Sequence, residues 1–444
     1  MPASPDRHPF RHIGLLALGL ALLGAGSMVY YHLGLFIPRV LEVRAARGLG
    51  NGFSFGDDFY PIWLTSRLAR TGERDLYCQE ITRKIQIGLF GRPLDASNPA
   101  DPPADYRTFA YPAFADLLLW PTALVGFPML RVILALLLPL LTAASIWLWL
   151  FALRWPMRPL GFTIFLVLAL CNYPVLEAFF ALQPGLIVGF LLACGIAALT
   201  RGQFLVAGIL LSLTLIKPQM TLLVIAYLLL WSVSRKAGAT FWSGFSGTTL
   251  ALFGASLWLW PHWVREWVAV ISGYHRYATP SLASLLPGNI LGGYLGSFAI
   301  VALLGVGAVV AWRGRLANSD SPDFWVTLSL LLAITSLTML PGQAIYDHVI
   351  LFPGILLIVR KTRQFLAAGR LPRSLLAIGA AVLFWPWVAA IVVVAIHPFL
   401  NPELFYSNAV FALPIRTAAS LPFAVLALLI CIVRVNALRN QESA

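Results

Sequence analysis

Few residues in this chain can do chemistry, and they stand at isolated points in otherwise apolar sequence. Asp57 and Asp58 are adjacent in GDDFYPIWLTSRLARTG. Asn172, Glu177 and Gln183 fall within NYPVLEAFFALQPG, Lys217 interrupts LTLIKPQMTLL, and Asp347 and His348 are neighbours in PGQAIYDHVILFPG. A carboxylate beside a bilayer can take the proton of a hydroxyl nucleophile. The plainer reading of Asp57 and Asp58 is an acidic first turn that complements the dipole of the helix behind it. Lys217 is an ionisable residue in an apolar run, which makes it a functional candidate by default. Pro218 breaks the helix there, and a phosphate is a natural partner; a side chain snorkelling to the headgroups is the alternative. His348 can donate to a phosphate or a leaving oxygen, or the Asp347–His348 pair caps a span. Gln183, beside Asn172 and Glu177 in the sequence, can bind sugar hydroxyls or satisfy backbone at a helix break. The aromatic run from Trp258 to Trp267 reads as an interfacial belt.

These residues need a scaffold, and composition says which kind. Of 444 residues, 59% are hydrophobic and 11% charged, with a mean hydropathy of +0.81. A soluble chain of this length carries about 25% charged residues, so the fold class is an all-α polytopic integral membrane protein. The net charge of +13 does not point to nucleic acid, because the basic residues form short knots between apolar runs: Arg154 and Arg158, Arg235 and Lys236, Arg313 and Arg315, Arg360 to Arg373, Arg434 and Arg439. Such knots set topology. Apolar runs predict about twelve crossings, the first being a retained span over Ile13–Tyr31, with both termini cytoplasmic. The Pro-broken segment 109–127 is left open as a crossing. This arrangement makes residues 38–108 a long first extracytoplasmic loop, in which Phe59, Ile62, Trp63 and Leu68 predict an amphipathic helix lying on the membrane surface. It puts the acidic pair, Gln183, Lys217 and Asp347–His348 on one side of the membrane. Cys78, Cys171, Cys194 and Cys431 show no metal spacing. No Walker loop, dinucleotide motif or nucleophile elbow is present. A transporter or lipid-linked-sugar flippase is the rival class; it predicts repeated halves, and no strong repeat is seen.

At this level the chain resembles glycosyltransferase family 87. DDFYPIWLTSRLARTGERDLY, FAYPAFADLLLWP, NYPVLEAFFALQPGLIVGFLLACGIAAL, LVAGILLSLTLIKPQ and YDHVILFP are similar to that family's blocks in order and spacing. The resemblance implies a GT-C-like bundle, residues 1–444 forming one domain, with the active site on the extracytoplasmic face of the plasma (bacterial inner) membrane. It implies a polyprenyl-phosphate sugar donor, often mannose, transfer with inversion to a glycolipid or glycan acceptor, and neither cofactor nor obligatory metal. The Asp before Phe matches the family's catalytic aspartate, so Asp58 is preferred to Asp57. Lys217 and His348 would meet the donor phosphate; Gln183, with Asn172 and Asp347, would line the sugar or acceptor pocket. Three positions depart from the family pattern: Leu182 and Gly185 stand where Gly and Asn are usual, and Ala113 where a second proline is usual.

Overall fold

The structure is a computed structural model and describes residues 8–50, 52, 54–103, 106–274, 282, 290–342 and 344–442. Asp105 lies outside the described residues. The described chain is helical throughout, without a strand. Helices α1 (His8–Tyr30) and α2 (Ile37–Ala46) are joined by a π-helical turn, Tyr31–Phe36, into one apolar rod, of which 35 residues, His12–Ala46, qualify as a span. At 1.5 Å per residue this rod is about 52 Å long, well beyond the ~30 Å hydrocarbon core. Its basic end, with Arg44 and Arg47, therefore stands clear of lipid and walls a cavity.

Residues 47–112 fold as a small cap. Helix α3 (Tyr60–Arg70) starts with Pro61 in its first turn, where a missing N–H costs nothing. Helix α4 (Gln79–Phe90) ends at Gly91, whose φ of +80° suits a glycine C-cap. The apolar face of α3 is covered by protein and not by a bilayer: Phe59 and Ile62 are fully buried, Trp63 Nε1 donates to the Val125 carbonyl (3.0 Å), and Ser66 Oγ donates to Asp116 (2.5 Å). An amphipathic face fits either partner, and here α5 (Ala113–Leu119) and the following 3-10 turn Trp120–Leu124 supply it. That segment, cut by its prolines, is too short for a lone crossing.

The bundle follows: α6 (Phe127–Ala152), α7 (Pro159–Leu170), α8 (Tyr173–Phe180), α9 (Gly185–Thr200), α10 (Phe204–Leu213), α11 (Leu222–Val233), α12 (Gly238–Leu259) and α13 (Trp263–Tyr274). Later helices cover Ile290–Gly314, Pro322–Thr338, Phe352–Ala367, Arg370–Ile396 and Leu421–Glu442. Pro322–Thr338 is buried from Phe324 onward and forms the centre of the core. Among the described residues four helices are long and apolar enough to cross a membrane, or six if two pairs bent by 57° and 42° each count as one. The sequence reading of about twelve counted apolar runs; many of these fold as helices of 10–17 residues, below the ~20 that a single crossing needs. The aromatic run also divides: Trp258 is 81% exposed, whereas Trp260 and Trp263 are buried and Trp267 Nε1 donates to Ala110 of the cap (3.0 Å).

Candidate active site

The acidic pair enters on a turn that only certain backbones make. Gly56 has φ +83°, and its N–H donates to the Phe180 carbonyl at the end of α8 (2.9 Å). A Cβ there would fall 2.8 Å from the Leu182 side chain, so glycine is needed for both reasons. This bond ties the loop carrying Asp57 and Asp58 to the segment carrying Gln183.

Six side chains from five segments then connect. Arg107 spans both carboxylates: Nη1 donates to Asp58 Oδ1 and Nη2 to Asp57 Oδ2 (2.9 Å). Gln183 Nε2 donates to Asp58 Oδ2, while its Oε1 accepts from Lys217 Nζ (3.0 Å). Lys217 Nζ also donates to Asp347 Oδ1 (2.7 Å). The Gln183 amide is oriented by its neighbours, NH₂ toward a carboxylate and oxygen toward an ammonium. Charges therefore alternate along a path from Arg107 through Asp58 and Gln183 to Lys217 and Asp347.

Local backbone explains how each group arrives. Lys217 sits between two 3-10 turns, Thr214–Ile216 and Pro218–Met220, at φ −136° and ψ 72°. A residue preceding proline is pushed out of helical conformation, and this break turns the ammonium into the protein, where Lys217 is 6% exposed. Asp347 is fully buried on the 3-10 turn Ile345–Leu351. Successive residues of such a turn point about 120° apart. Asp347 faces Lys217, and His348 accordingly faces elsewhere, buried, with neither ring nitrogen hydrogen-bonded among the described residues.

A cavity of about 870 Å³ opens on this network. Its walls include Asp57, Asp58, Gln183, Lys217 and Asp347 of the residues singled out by sequence, together with Arg44, Arg107, Glu177 and Tyr346. His348 and Asn172 do not line it. Asn172 instead caps α8, its side chain accepting from the Val175 N–H (3.4 Å). Asp57 is pushed above the usual carboxylate range by burial, with the Arg107 and Arg44 guanidiniums opposing that rise. The two carboxylates are exposed alike, 13% and 12%, and differ in their partners: Arg107 braces both, and Gln183 donates to Asp58.

Sequence inspection did not pick out Arg107 or Arg44. Both belong to a loop with many basic residues, and nothing in their local pattern separates them from the rest. A positive φ of 64° at Arg107, uncommon outside glycine, is visible only in the fold. Glu177 was visible as a lone acid in apolar sequence but had no assigned partner.

The model of glycosyltransferase family 87 matches residues 109–341. No curated protein and no solved structure matches the chain. The matched stretch contains Gln183 and Lys217, while Asp57, Asp58, Arg107 and Asp347 reach the same cavity from outside it. A match over more than half of the sequence shows the family: the chain belongs to glycosyltransferase family 87 and is a membrane sugar transferase.

Proposed function

We propose that this protein transfers a sugar, mannose in the first instance, from a polyprenyl-phosphate donor to a hydroxyl of a glycolipid or glycan acceptor, with inversion at the anomeric carbon. The observation that carries the reading is the continuous polar path from Asp58 through Gln183 to Lys217 along one cavity wall. It presents a base and a cation, held apart by one amide. In this reading the acceptor oxygen attacks the anomeric carbon as Asp58 takes its proton. The bond from that carbon to the phosphate oxygen breaks, and its electron pair leaves with the polyprenyl phosphate. Lys217 has three N–H donors, two of them committed to Gln183 and Asp347, so the third is available to the phosphate. Arg107, already aligned on two carboxylates, supplies a second cation, and such preorganised charge is where much of the rate arises. The reading needs no metal, since side chains meet the phosphate charge.

The setting follows the same proposal. The fold is a GT-C-like bundle of about twelve crossings, short apolar helices sharing the bilayer between them. It lies in the plasma membrane with cap and cavity on the extracytoplasmic side and both termini cytoplasmic. The test is transfer of radiolabelled mannose from polyprenyl-phosphate mannose in membranes that retain host lipids. Wild type is expected to label an acceptor and Asp58→Asn to lose about 10²–10⁴-fold of that activity. Equal label in both would remove Asp58 from the mechanism.

A further inference from the structure

A second carboxylate faces the cavity, and the mechanism above leaves it unused. Glu177 lies on α8, one turn before Phe180, whose carbonyl holds the Asp57–Asp58 loop. Its side chain is 26% exposed and lines the cavity. Behind it stands His32, fully buried on the π-helical turn of the first rod, with Nε2 2.8 Å from Glu177 Oε2. His32 Nδ1 is buried without a hydrogen-bond partner among the described residues, so Nε2 carries the proton and donates to Glu177. The imidazole is boxed by Phe36, Tyr173 and Phe180, with ring centroids 5.5–6.1 Å away. A π turn inside an α-helix is rare and concentrates at functional sites. Here it directs a histidine inward from a helix whose neighbouring surface is otherwise apolar.

This is a large polar investment for a group with no task in phosphate departure. A carboxylate repels a phosphate, and the cations of the cavity are Arg44, Arg107 and Lys217. What a fixed carboxylate accepts well is the O–H of a neutral ligand: it has about four lone-pair positions, of which His32 and the Tyr173 hydroxyl occupy two. Hydroxyl-rich rings are the ligands a glycosyltransferase brings into such a cavity. Building on the function proposed above, we propose that Glu177, positioned by His32, is a specificity-determining residue that accepts hydrogen bonds from the hydroxyls of a sugar ring in the cavity.

The ring belongs either to the donor or to the acceptor, and kinetics separate the two. The protein is reconstituted with polyprenyl-phosphate mannose and host lipid extract as acceptor source, each varied in turn. Glu177→Gln is expected to raise the KM for one of the two by about 10- to 100-fold, the loss of a hydrogen bond to a charged acceptor, with kcat changed less than about threefold. A rise for the donor assigns the ring to the donor, and a rise for the extract assigns it to the acceptor. His32→Leu should raise the same KM and His32→Gln, which keeps a donor, should restore most of it. If Glu177→Gln does not accumulate in membranes, the two His32 variants carry the same test. Both KM values within twofold of wild type, or a fall in kcat with neither KM moved, would overturn the proposal. A wild-type protein that uses no polyprenyl-phosphate sugar would instead remove the function on which it rests, and the proposal with it.

Discussion

Lys217 and Asp347 form a buried ion pair whose removal separates two roles, holding the fold and meeting the phosphate. Their side chains are 7% and 1% exposed and 2.7 Å apart. At an effective dielectric of about 20, unit charges at that separation attract by about 6 kcal/mol. Burying two ions costs several kcal/mol each, so the pair is roughly neutral against an apolar replacement of similar size. Either half alone is a different matter. Lys217→Met leaves Asp347 charged, fully buried, and with Oδ2 already lacking a partner; the expected loss is about 3–5 kcal/mol. Lys217→Met with Asp347→Leu removes both ions and should return to within about 1 kcal/mol of wild type; with about 3–5 kcal/mol lost in each single variant, the interaction energy in the cycle is at least about 5 kcal/mol.

The assay pairs thermal unfolding in detergent, followed by tryptophan fluorescence, with mannose transfer. The unfolding midpoint should fall by about 3–5 °C in the single variant, about 1 °C per kcal/mol for a chain of this size, and recover in the double. Transfer should not recover, because the double variant still lacks the donor that aligns Gln183 and meets the phosphate, and kcat/KM should stay about 10²-fold or more below wild type. A double variant that regains full transfer would refute the phosphate role of Lys217. A single variant that loses less than about 1 kcal/mol would refute the buried pair itself.

Three other outcomes follow from the geometry. Arg107→Leu leaves Asp57 and Asp58 without the guanidinium that spans them; burial then raises the Asp57 carboxyl with less charge to oppose it, and the pH–rate profile of transfer should shift upward. Asp101 is held down to about 2 by its hydrogen bonds from Arg92 and the Asp95 N–H. A depressed carboxyl stabilises the folded loop above its unfolded value and loses that contribution as pH falls, so proteolysis of residues 91–103 should be unchanged from pH 7 to about 4 and rise between about 4 and about 2, a rise absent in Asp101→Asn. Leu182→Gly relieves a left-handed backbone worth about 1–2 kcal/mol but deletes a fully buried leucine worth more, about 2–5 kcal/mol on truncation; a lowered unfolding midpoint is expected, and a raised one would show that the backbone dominates.

How much of this was legible in the sequence depends on what surrounds each residue. Lys217, Gln183 and Asp347 stood out because polar groups in apolar sequence are rare, and all three line the cavity. Their convergence was not legible: Asp58 and Gln183 are 125 residues apart and Lys217 and Asp347 130. Arg107 was hidden by the reverse condition, a charge among charges. His348 was paired with Asp347 by adjacency, yet adjacent residues on a 3-10 turn diverge, and only one of them meets the cavity. The apolar stripe of α3 was read as lying on the membrane surface, whereas protein covers it; periodicity does not say which of the two does. The prolines that interrupt the apolar runs were visible too, but not how short the helices between them would be.

The positions that depart from the family pattern acquire a physical reason once the backbone is known. Leu182 has φ +51°, a conformation that favours the glycine usual there, and it is retained because its side chain fills the space against Gly56 and Phe127. Gly185 stands where asparagine is usual, and a Cβ at that position would fall 2.3 Å from Asp347 Oδ1 and 3.4 Å from Lys217 Nζ. The missing side chain is thus what admits the Asp347 carboxylate to the ammonium. Asp347 reaches Lys217 from the 3-10 turn at Ile345–Leu351, and Lys217 in turn donates to Gln183. Ala113, at the first position of α5, needs only to be small and helical, and it is fully buried. Two of the three changes therefore act on the same amide, Gln183, one through the backbone before it and one through the charge that holds its neighbour. What Leu182 and Gly185 set is therefore how the site is braced around Gln183, whose amide donates to Asp58.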